Sequence, residues 1–313
     1  MELTAIFLVT GLLFALAGLG GGDGGGGGGS SASDAPDPTD EGGTTADVLI
    51  GTNFDDVIFG REGDDTITGL VGNDYLDGNA DNDEIDGGIG DDTVLGGAGN
   101  DSLSGGSGMD SLRGGENADT LDGGDNDDTL EGALGPDTLL GGAGLDFLRG
   151  GPGSDELDGE GGNDSLEGGP GPDTLIGITD YETLPVTDTS GADTLEGWEG
   201  ADRIVLGTGD QGYGEFATAN ADNLGDTFVL GTWIGSPPPV IHDFNPAVDR
   251  IEIYYDSGAV ADDTVMIAST NIGGDVTFTI TFDGEILVEV PVGMTGNVLT
   301  TAQVSLVDVA AVV

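Results

Sequence analysis

An Asp stands at every ninth position over a long central stretch of the chain. An aliphatic residue follows each of these Asp residues by two positions, and a Gly precedes each by five positions, from Gly51 to Gly168. The fourteen Asp residues are Asp56, Asp65, Asp74, Asp83, Asp92, Asp101, Asp110, Asp119, Asp128, Asp137, Asp146, Asp155, Asp164 and Asp173. Three columns that keep one register for so long cannot arise from composition alone, so a repeat structure is predicted here and not a disordered tract.

The repeating unit has the form G-G-x-G-x-D-x-U-x, where U is aliphatic. Its first six residues predict a turn, because Gly allows positive φ and close approach of the backbone. Its last three residues predict a short strand with one side chain inward. Nine residues make half a coil, so two units close one coil and successive coils stack at about 4.8 Å. The fold class predicted is all-β, a parallel β-roll in which Asp65 lies beside Asp83, and Asp74 beside Asp92, on opposite sides.

The charge balance restricts what such a roll can bind. The chain has 5 basic and 60 acidic residues, a net charge of −55 at pH 7, with no Cys and one His. We therefore expect no nucleic-acid partner and no direct binding to anionic membranes. The absence of Cys excludes disulfides and thiolate sites, and a single His leaves almost nothing for imidazole-based sites. Carboxylate and backbone carbonyl oxygens remain, which are the ligands of a hard cation, and Ca²⁺ fits them best.

The sequence predicts several Ca²⁺ ions, held between consecutive turns on each side of the roll. Because one narrow aliphatic column cannot offset the entropy of ordering so many residues, folding is expected to depend on this calcium. The candidate ligands are Asp65, Asp74, Asp83, Asp92, Asp101, Asp110, Asp119, Asp128, Asp137, Asp146, Asp155, Asp164, Asp173, Asp193 and Asp202, with Gly87, Gly90, Gly96, Gly99, Gly105, Gly108, Gly141, Gly144, Gly150 and Gly153 in the turns.

These repeats resemble those of the repeats-in-toxin (RTX) family of Gram-negative secreted proteins. The resemblance covers residues 46–210, and the best-matching units begin at Gly87, Gly96, Gly141 and Gly150. It implies a calcium-binding protein that is secreted or extracellular, with association with the cell surface as one form of that location. In this family the C-terminal stretch is read by a type I exporter, which makes that machinery an expected partner.

Some units depart from the pattern. Asp81, Asn117 and Asn126 replace the third Gly, and these residue types tolerate left-handed backbone, so the turns should survive. After Asp173 the register slips, and Asp193 arrives two residues late. Residues 179–189, which include Glu182, are interpreted as a bulged coil that carries a small loop.

The ends differ from the repeats. Residues 1–19 contain an apolar run, Leu3–Leu19, which fits a cleaved signal, a membrane tether, or an uncleaved or mis-started end. Residues 20–45 are rich in Gly, Ser, Asp and Pro and predict a flexible linker. Residues 211–313 predict a small antiparallel β cap with a hairpin turn at Asp283-Gly284 and a type I secretion signal. Its Ile241-His242-Asp243-Phe244 segment also resembles the one that follows RTX arrays.

Three functions remain open at this stage. The first is a non-enzymatic calcium-binding extracellular protein with an unknown surface or matrix partner. The second is an enzyme in residues 211–313, which the single His242 and the absence of an H-E-x-x-H sequence make unattractive, so we expect no catalytic role. The third is an adhesin, or an ice- or glycan-binding module, that uses an outer face of the roll. Trp198 and Trp233 are interpreted as packing residues, with ligand stacking as the alternative.

Overall fold

The computed structural model describes residues 40–178, 191–214, 225–231, 238–242, 244, 249–255, 265–272, 275–282, 285–292 and 304–308. All regular secondary structure within these residues is β-strand. In this part of the chain no helix is long and apolar enough to cross a membrane. The apolar segment 1–19, Glu182, Trp233 and the Asp283-Gly284 turn lie outside the described residues.

The strands alternate between two sheets along the roll, as half-coil units require. From β1 to β14, the odd-numbered strands belong to the first sheet and the even-numbered strands belong to the second. The first sheet has the order β1 (Asp40–Glu41), β3 (Val57–Glu62), β5 (Tyr75–Ala80), β7 (Thr93–Ala98), β9 (Ser111–Glu116), β11 (Thr129–Leu134), β13 (Phe147–Arg149), β16 (Ser165–Pro170), β18 (Thr194–Glu199), β20 (Gln211–Tyr213), β22 (Val240–Ile241), β26 (Glu285–Val292), β25 (Asp275–Phe282) and β24 (Val265–Ile272).

The second sheet runs along the opposite side of the roll. Its order is β2 (Val48–Ile50), β4 (Thr66–Val71), β6 (Glu84–Ile89), β8 (Ser102–Ser107), β10 (Thr120–Asp125), β12 (Thr138–Gly144), β14 (Glu156–Asp158), β17 (Thr174–Ile176), β19 (Arg203–Val205), β21 (Thr227–Gly231), β23 (Arg250–Tyr255) and β27 (Val304–Asp308), and β15 (Gly161–Gly162) pairs with β12 beside this path.

Parallel pairing joins residues that are one coil apart. Leu76 lies opposite Val94 in the first sheet, and Leu121 lies opposite Leu139 in the second, a spacing of two repeat units in each case. This register confirms the predicted all-β parallel roll and its 18-residue coil. It follows that equivalent positions of alternate units form straight columns along the roll.

A single column of aliphatic side chains fills the interior between the two sheets. In the strands β3 to β12 the aliphatic residue two positions after Asp is buried, and the residues on either side of it are at least partly exposed. Leu76, Leu121 and Leu139 are each 0 % exposed. The column is narrow because each half-coil strand turns only one aliphatic side chain inward.

The turns adopt the left-handed backbone that the sequence pattern predicts. Asp81, Asn117 and Asn126, which replace the third Gly, have φ of 75°, 81° and 82°, so that prediction is confirmed. Ala133 and Trp198 were not expected to be left-handed, yet they have φ of 82° and 75° at the position that the second Gly takes elsewhere. For such residues this conformation costs about 1–2 kcal/mol.

The register changes after the regular repeats. Ser165 pairs with Thr194, so the coil that contains residues 179–190 is longer than the others, and those residues lie outside the described part. Parallel pairing continues past residue 210 through β20 to β23. The strands β24, β25 and β26 pair antiparallel to one another. At the other end β1 lies within the segment 20–45 that was predicted as a linker, and Arg61 forms an ion pair with Glu41 there.

Candidate metal centre

Two files of buried Asp residues run along the roll, one on each side. Each of these Asp side chains is 4 % exposed or less, although Asp is normally a surface residue. All fifteen Asp residues that the sequence nominated are in the files, together with Asp56, Asp210, Asp226 and Asp249. The sequence pattern thus brings these carboxyl groups together in columns, one per coil on each side.

Within each file, one carboxylate oxygen links neighbouring coils. Oδ1 of each Asp accepts a hydrogen bond from the backbone N–H of the Asp one coil earlier, over 2.7 Å for Asp74 to Asp92 and 2.9 Å for Asp101 to Asp119. One file runs through Asp65, Asp83, Asp101, Asp119, Asp137, Asp155, Asp173, Asp202, Asp226 and Asp249, and the backbone N–H of the partly exposed Asp47 donates to its first member. The other runs through Asp56, Asp74, Asp92, Asp110, Asp128, Asp146, Asp164, Asp193 and Asp210.

The second carboxylate oxygen, Oδ2, has no hydrogen-bond partner in the regular repeats. This holds for each file residue from Asp65 to Asp173, where Oδ2 is buried and accepts no hydrogen bond from any described residue. A buried acceptor of this kind is costly, and a buried charge without a partner is more so. These oxygens are therefore the atoms of the roll that most require a positive partner.

The first Gly of each unit stands beside this oxygen. A Cβ placed on Gly87 would lie 2.6 Å from Oδ2 of Asp92 and 2.7 Å from the carbonyl oxygen of Gly105 in the next coil. The same pair of contacts, both at 2.8 Å, surrounds Gly141. Gly96, Gly105 and Gly150 occupy equivalent places. Only Gly leaves room for a carboxylate oxygen and a carbonyl oxygen to approach one another here.

The third Gly of each unit keeps the turns in close contact along each side. A Cβ on Gly90 would overlap the carbonyl oxygen of Gly72 in the preceding coil. The equivalent overlap occurs at Gly99, Gly108, Gly144 and Gly153. The carbonyl groups of these turns are thus directed toward the next turn of the same side. The turns offer oxygen donors in columns, next to the buried carboxylates.

Burial raises the pKa of the file carboxyl groups from Asp65 to Asp173, because desolvation disfavours the charged form more than the single backbone hydrogen bond favours it. Charged neighbours in the same file raise the pKa further at several of them, such as Asp83 and Asp173. The pKa rises to about 6 for Asp74, Asp92 and Asp155, to about 7 for Asp83, Asp119, Asp128 and Asp164, and to about 8 for Asp173. Near neutral pH these sites favour a proton or a cation.

The donor set fits a hard cation, although no cluster of side-chain ligands exists. No group of three or more Asp, Glu, His or Cys side chains converges anywhere in the described residues. One carboxylate per coil on each side, with carbonyl oxygens beside it, leaves backbone to supply most of a coordination shell. Oxygen-only donors on Gly-rich turns suit Ca²⁺, which takes six to eight oxygens in flexible geometry.

A second, exposed ladder joins successive turns and was not predicted from the sequence. Oδ1 of Asp127, the residue before the ligand Asp128, accepts the N–H of Leu145 over 2.9 Å. Asn82 in the same position accepts the N–H of Asn100 over 2.8 Å. The frequent Asp and Asn at this position were the available signal. These side chains are exposed, yet they join successive turns.

Asp193 and Asp202 were predicted, but Asp210, Asp226 and Asp249 were missed because their spacing is irregular. Asp202 bonds Asp226, and Asp226 bonds Asp249, at separations of 24 and 23 residues. Phe228 follows Asp226 by two positions, and Ile251 follows Asp249 in the same way, so the Asp-x-apolar pattern was the usable signal.

His242 stacks on Tyr213 with ring centroids 4.4 Å apart, and its Nε2 lies 2.6 Å from Oε1 of Gln211.

A match to a protein-family model agrees with this geometry. The model of the RTX calcium-binding nonapeptide repeat matches residues 41–76, 68–103, 104–139, 140–175 and 186–210, which together make up more than half of the chain. No curated protein matches.

Matches among solved structures include the AlgE6R3 subunit of the Azotobacter vinelandii mannuronan C5-epimerase, at 22 % identity and a TM-score of 0.26; the match covers 60 % of this chain and 81 % of that one. The extracellular lipase LipA from Serratia marcescens is 16 % identical with a TM-score of 0.24; the match covers 84 % of this chain and only 40 % of the lipase. The repeats with their two files of buried Asp are RTX calcium-binding repeats, and the chain belongs to that family.

Proposed function

We propose that this chain is an extracellular RTX protein whose roll folds when several Ca²⁺ ions bind between its turns. One observation carries the proposal: a buried Oδ2 atom without a hydrogen-bond partner recurs in every regular unit from Asp65 to Asp173. A row of such atoms is unfavourable in water-free surroundings unless positive charge lies along it. The five Arg residues of the chain cannot supply that charge.

The proposed ligands are the Asp of each unit and the carbonyl oxygens of the Gly-rich turns. They are the Asp and Gly residues nominated from the sequence, to which Asp226 is added because it lies in the same file. Asp56 and Asp210 are not added, because their Oδ2 atoms accept backbone hydrogen bonds from Thr52 and Gly207. When bound, calcium supplies positive charge and oxygen coordination at about 2.3–2.6 Å. The chain itself positions the carboxylates through Oδ1 and keeps space for the second oxygen through Gly such as Gly87 and Gly141.

Export before folding follows from the same dependence. A chain of net charge −55 repels itself, so without calcium it should stay unfolded and able to pass through an exporter. Outside the cell, millimolar calcium fills sites of modest affinity. We therefore propose secretion through type I machinery, a location outside the cell or at its surface, and no catalytic role for this chain.

The test is a calcium titration of the full chain that is monitored by far-UV circular dichroism. A titration with magnesium is the control. We expect a cooperative change from coil to β-sheet at sub-millimolar to millimolar calcium, reversed by a chelator and not produced by magnesium. A β-sheet spectrum in chelator that calcium leaves unchanged would exclude the proposed sites.

A further inference from the structure

A groove of about 420 Å³ crosses the outer face of the first sheet, away from both Asp files. It spans four neighbouring strands, β11, β13, β16 and β18, so its length is about 14 Å at the usual strand spacing. No step of calcium binding uses this groove. A concave surface lined by both polar and aromatic groups is the usual form of a ligand site.

The groove has a flat floor and two rows of taller side chains. Gly151 and Gly169 lie in its floor, where backbone is the only obstacle to a ligand. Pro152 and Pro170 form one edge, and charged side chains of the neighbouring column form the other. The floor is flat because the second residue of most units is a Gly with positive φ, which brings no side chain to the surface.

Trp198 interrupts this floor. It pairs directly with Gly169 in the neighbouring strand and lines the groove, with its side chain partly exposed. Its φ of 75° is a conformation that costs a non-Gly residue about 1–2 kcal/mol. Packing of the roll does not require this residue, since Gly takes the equivalent place at Gly151 and Gly169. Other non-Gly residues at this position of the unit, such as Leu70 and Ala133, share the left-handed conformation, so it is the partly exposed ring beside a Gly floor that points to ligand contact.

The charged groups around the groove present both donors and acceptors. The Arg149 guanidinium lies 3.2 Å from the Glu167 carboxylate, and Glu131 and Glu199 add two more carboxylates. Three carboxylates and one guanidinium line the groove, so it repels an anionic ligand, while the Arg149–Glu167 pair places a hydrogen-bond donor beside an acceptor. A neutral ligand rich in hydroxyl groups can both donate to the carboxylates and accept from the guanidinium.

We propose that this groove binds a short neutral oligosaccharide, with the apolar face of one sugar ring on Trp198 and its hydroxyl groups bonded to Arg149 and Glu167. Aromatic rings supply apolar contact area to such a face, and the Gly floor lets the other rings lie close to the backbone. The length of the groove suits two or three sugar units. This function goes beyond calcium binding and uses a different surface of the roll.

The experiment uses the full chain with the Trp233→Phe substitution, so that Trp198 is the only tryptophan. The measurement is carried out in a calcium buffer in which circular dichroism shows the β-sheet spectrum. Failure of folding is thereby distinguished from failure of sugar binding. Neutral trisaccharides of glucose and of N-acetylglucosamine are titrated while Trp198 fluorescence is followed, with a triuronate and a trilysine peptide as charged probes. We expect a saturable change in fluorescence with at least one neutral sugar and none with the charged probes.

Two variants measure the contribution of the groove by calorimetry. Trp198→Gly restores the residue found elsewhere in this column, so the roll should fold, and affinity should fall by at least about tenfold, equivalent to about 1.4 kcal/mol. Arg149→Gln should also weaken binding severalfold. The matched control is Arg203→Gln, which removes a 3.2 Å ion pair to Glu252 on the other sheet and should leave affinity unchanged. Absence of binding by every neutral sugar, equal affinity in Trp198→Gly, or binding of the charged probes alone would overturn the proposal.

Discussion

The ligand Asp of each unit has two separate tasks, one for each carboxylate oxygen. Oδ1 joins two coils, as Asp128 does by accepting the N–H of Asp110 over 2.7 Å. Oδ2 of the same residue is buried and has no hydrogen-bond partner. The adjacent Asp127 also accepts a backbone N–H through Oδ1, but it is exposed. These two neighbours allow the charge of the buried carboxylate to be tested apart from its hydrogen bond.

Asp128→Asn should weaken calcium-dependent folding, because the amide keeps an oxygen acceptor but loses the charge that pairs with the cation. We expect the calcium midpoint to rise severalfold and the stability in calcium to fall by roughly 2 kcal/mol, the scale of a hydrogen bond to a charged group. Asp127→Asn makes the same chemical change one residue away and should shift the midpoint by less than twofold. Equal midpoints for the two variants, measured by circular dichroism, would contradict the assignment of Oδ2 to calcium.

Left-handed residues other than Gly store strain in several turns. Ala133, with φ of 82°, is such a residue, and its place in the neighbouring unit of the same column is taken by Gly151. Ala133→Gly should therefore raise the free energy of unfolding in calcium by about 1 kcal/mol. Ala98→Gly, at a strand residue without positive φ, should lower it by about 0.5–1 kcal/mol. Urea unfolding in calcium measures both; a loss of stability in Ala133→Gly would contradict the strain argument.

At the scale of the strand and turn, the nine-residue period determined most of what could be predicted. It gave the coil length, the aliphatic column and the pairing of alternate units, because each depends only on spacing and on which side chains turn inward. Spacing could not reveal the bonds made by individual atoms, such as the Oδ1 contacts of Asp128 or Asp127. It also could not predict Asp226 and Asp249, because their coils have irregular lengths. Only the pairing of the strands shows that these two residues continue the file.

The exposed ladder of turn side chains has a gap that a single substitution can close. Met109 donates its N–H to Asp91 over 3.0 Å, but its thioether offers no comparable acceptor to the next turn at Asp127. Met109→Asn should add an acceptor for the Asp127 N–H and raise the free energy of unfolding in calcium by about 0.5–1.5 kcal/mol. Met109→Leu is the control and should change little. Equal stability of the two variants in urea would mean that this ladder contributes nothing.

At the scale of the whole molecule, acidic charge is both the obstacle to folding and the means of controlling it. The net charge is −55, and the files place many of the carboxyl groups where water cannot solvate them. Four of the five Arg residues pair with Glu carboxylates, as Arg149 does with Glu167 and Arg203 with Glu252. Protons and calcium are thus expected to compete for the same buried carboxylates. Acidification should stabilise the calcium-free chain and weaken calcium binding to the calcium-loaded one.

The pH dependence follows from the raised pKa values of the files. In the folded roll Asp83 and Asp119 have a pKa of about 7 and Asp173 of about 8, whereas the unfolded value lies near 3.8. Between these limits the folded chain binds more protons than the unfolded chain, so without calcium its stability falls as pH rises from about 4 to about 8. Metal-depleted protein should therefore gain β-sheet signal on acidification, while in calcium the midpoint should rise as pH falls because protons compete for the carboxylates.

Surface repulsion also diminishes on acidification, so salt is the control for this experiment. At about 1 M NaCl the screening length is about 3 Å, which suppresses repulsion between exposed charges but does not solvate the buried carboxyl groups of Asp119 or Asp173. If desolvation dominates, metal-depleted protein at pH 7.5 stays unfolded in high salt and folds only when the pH is lowered. Folding in salt alone at pH 7.5 would assign the barrier to net charge and not to the Asp files.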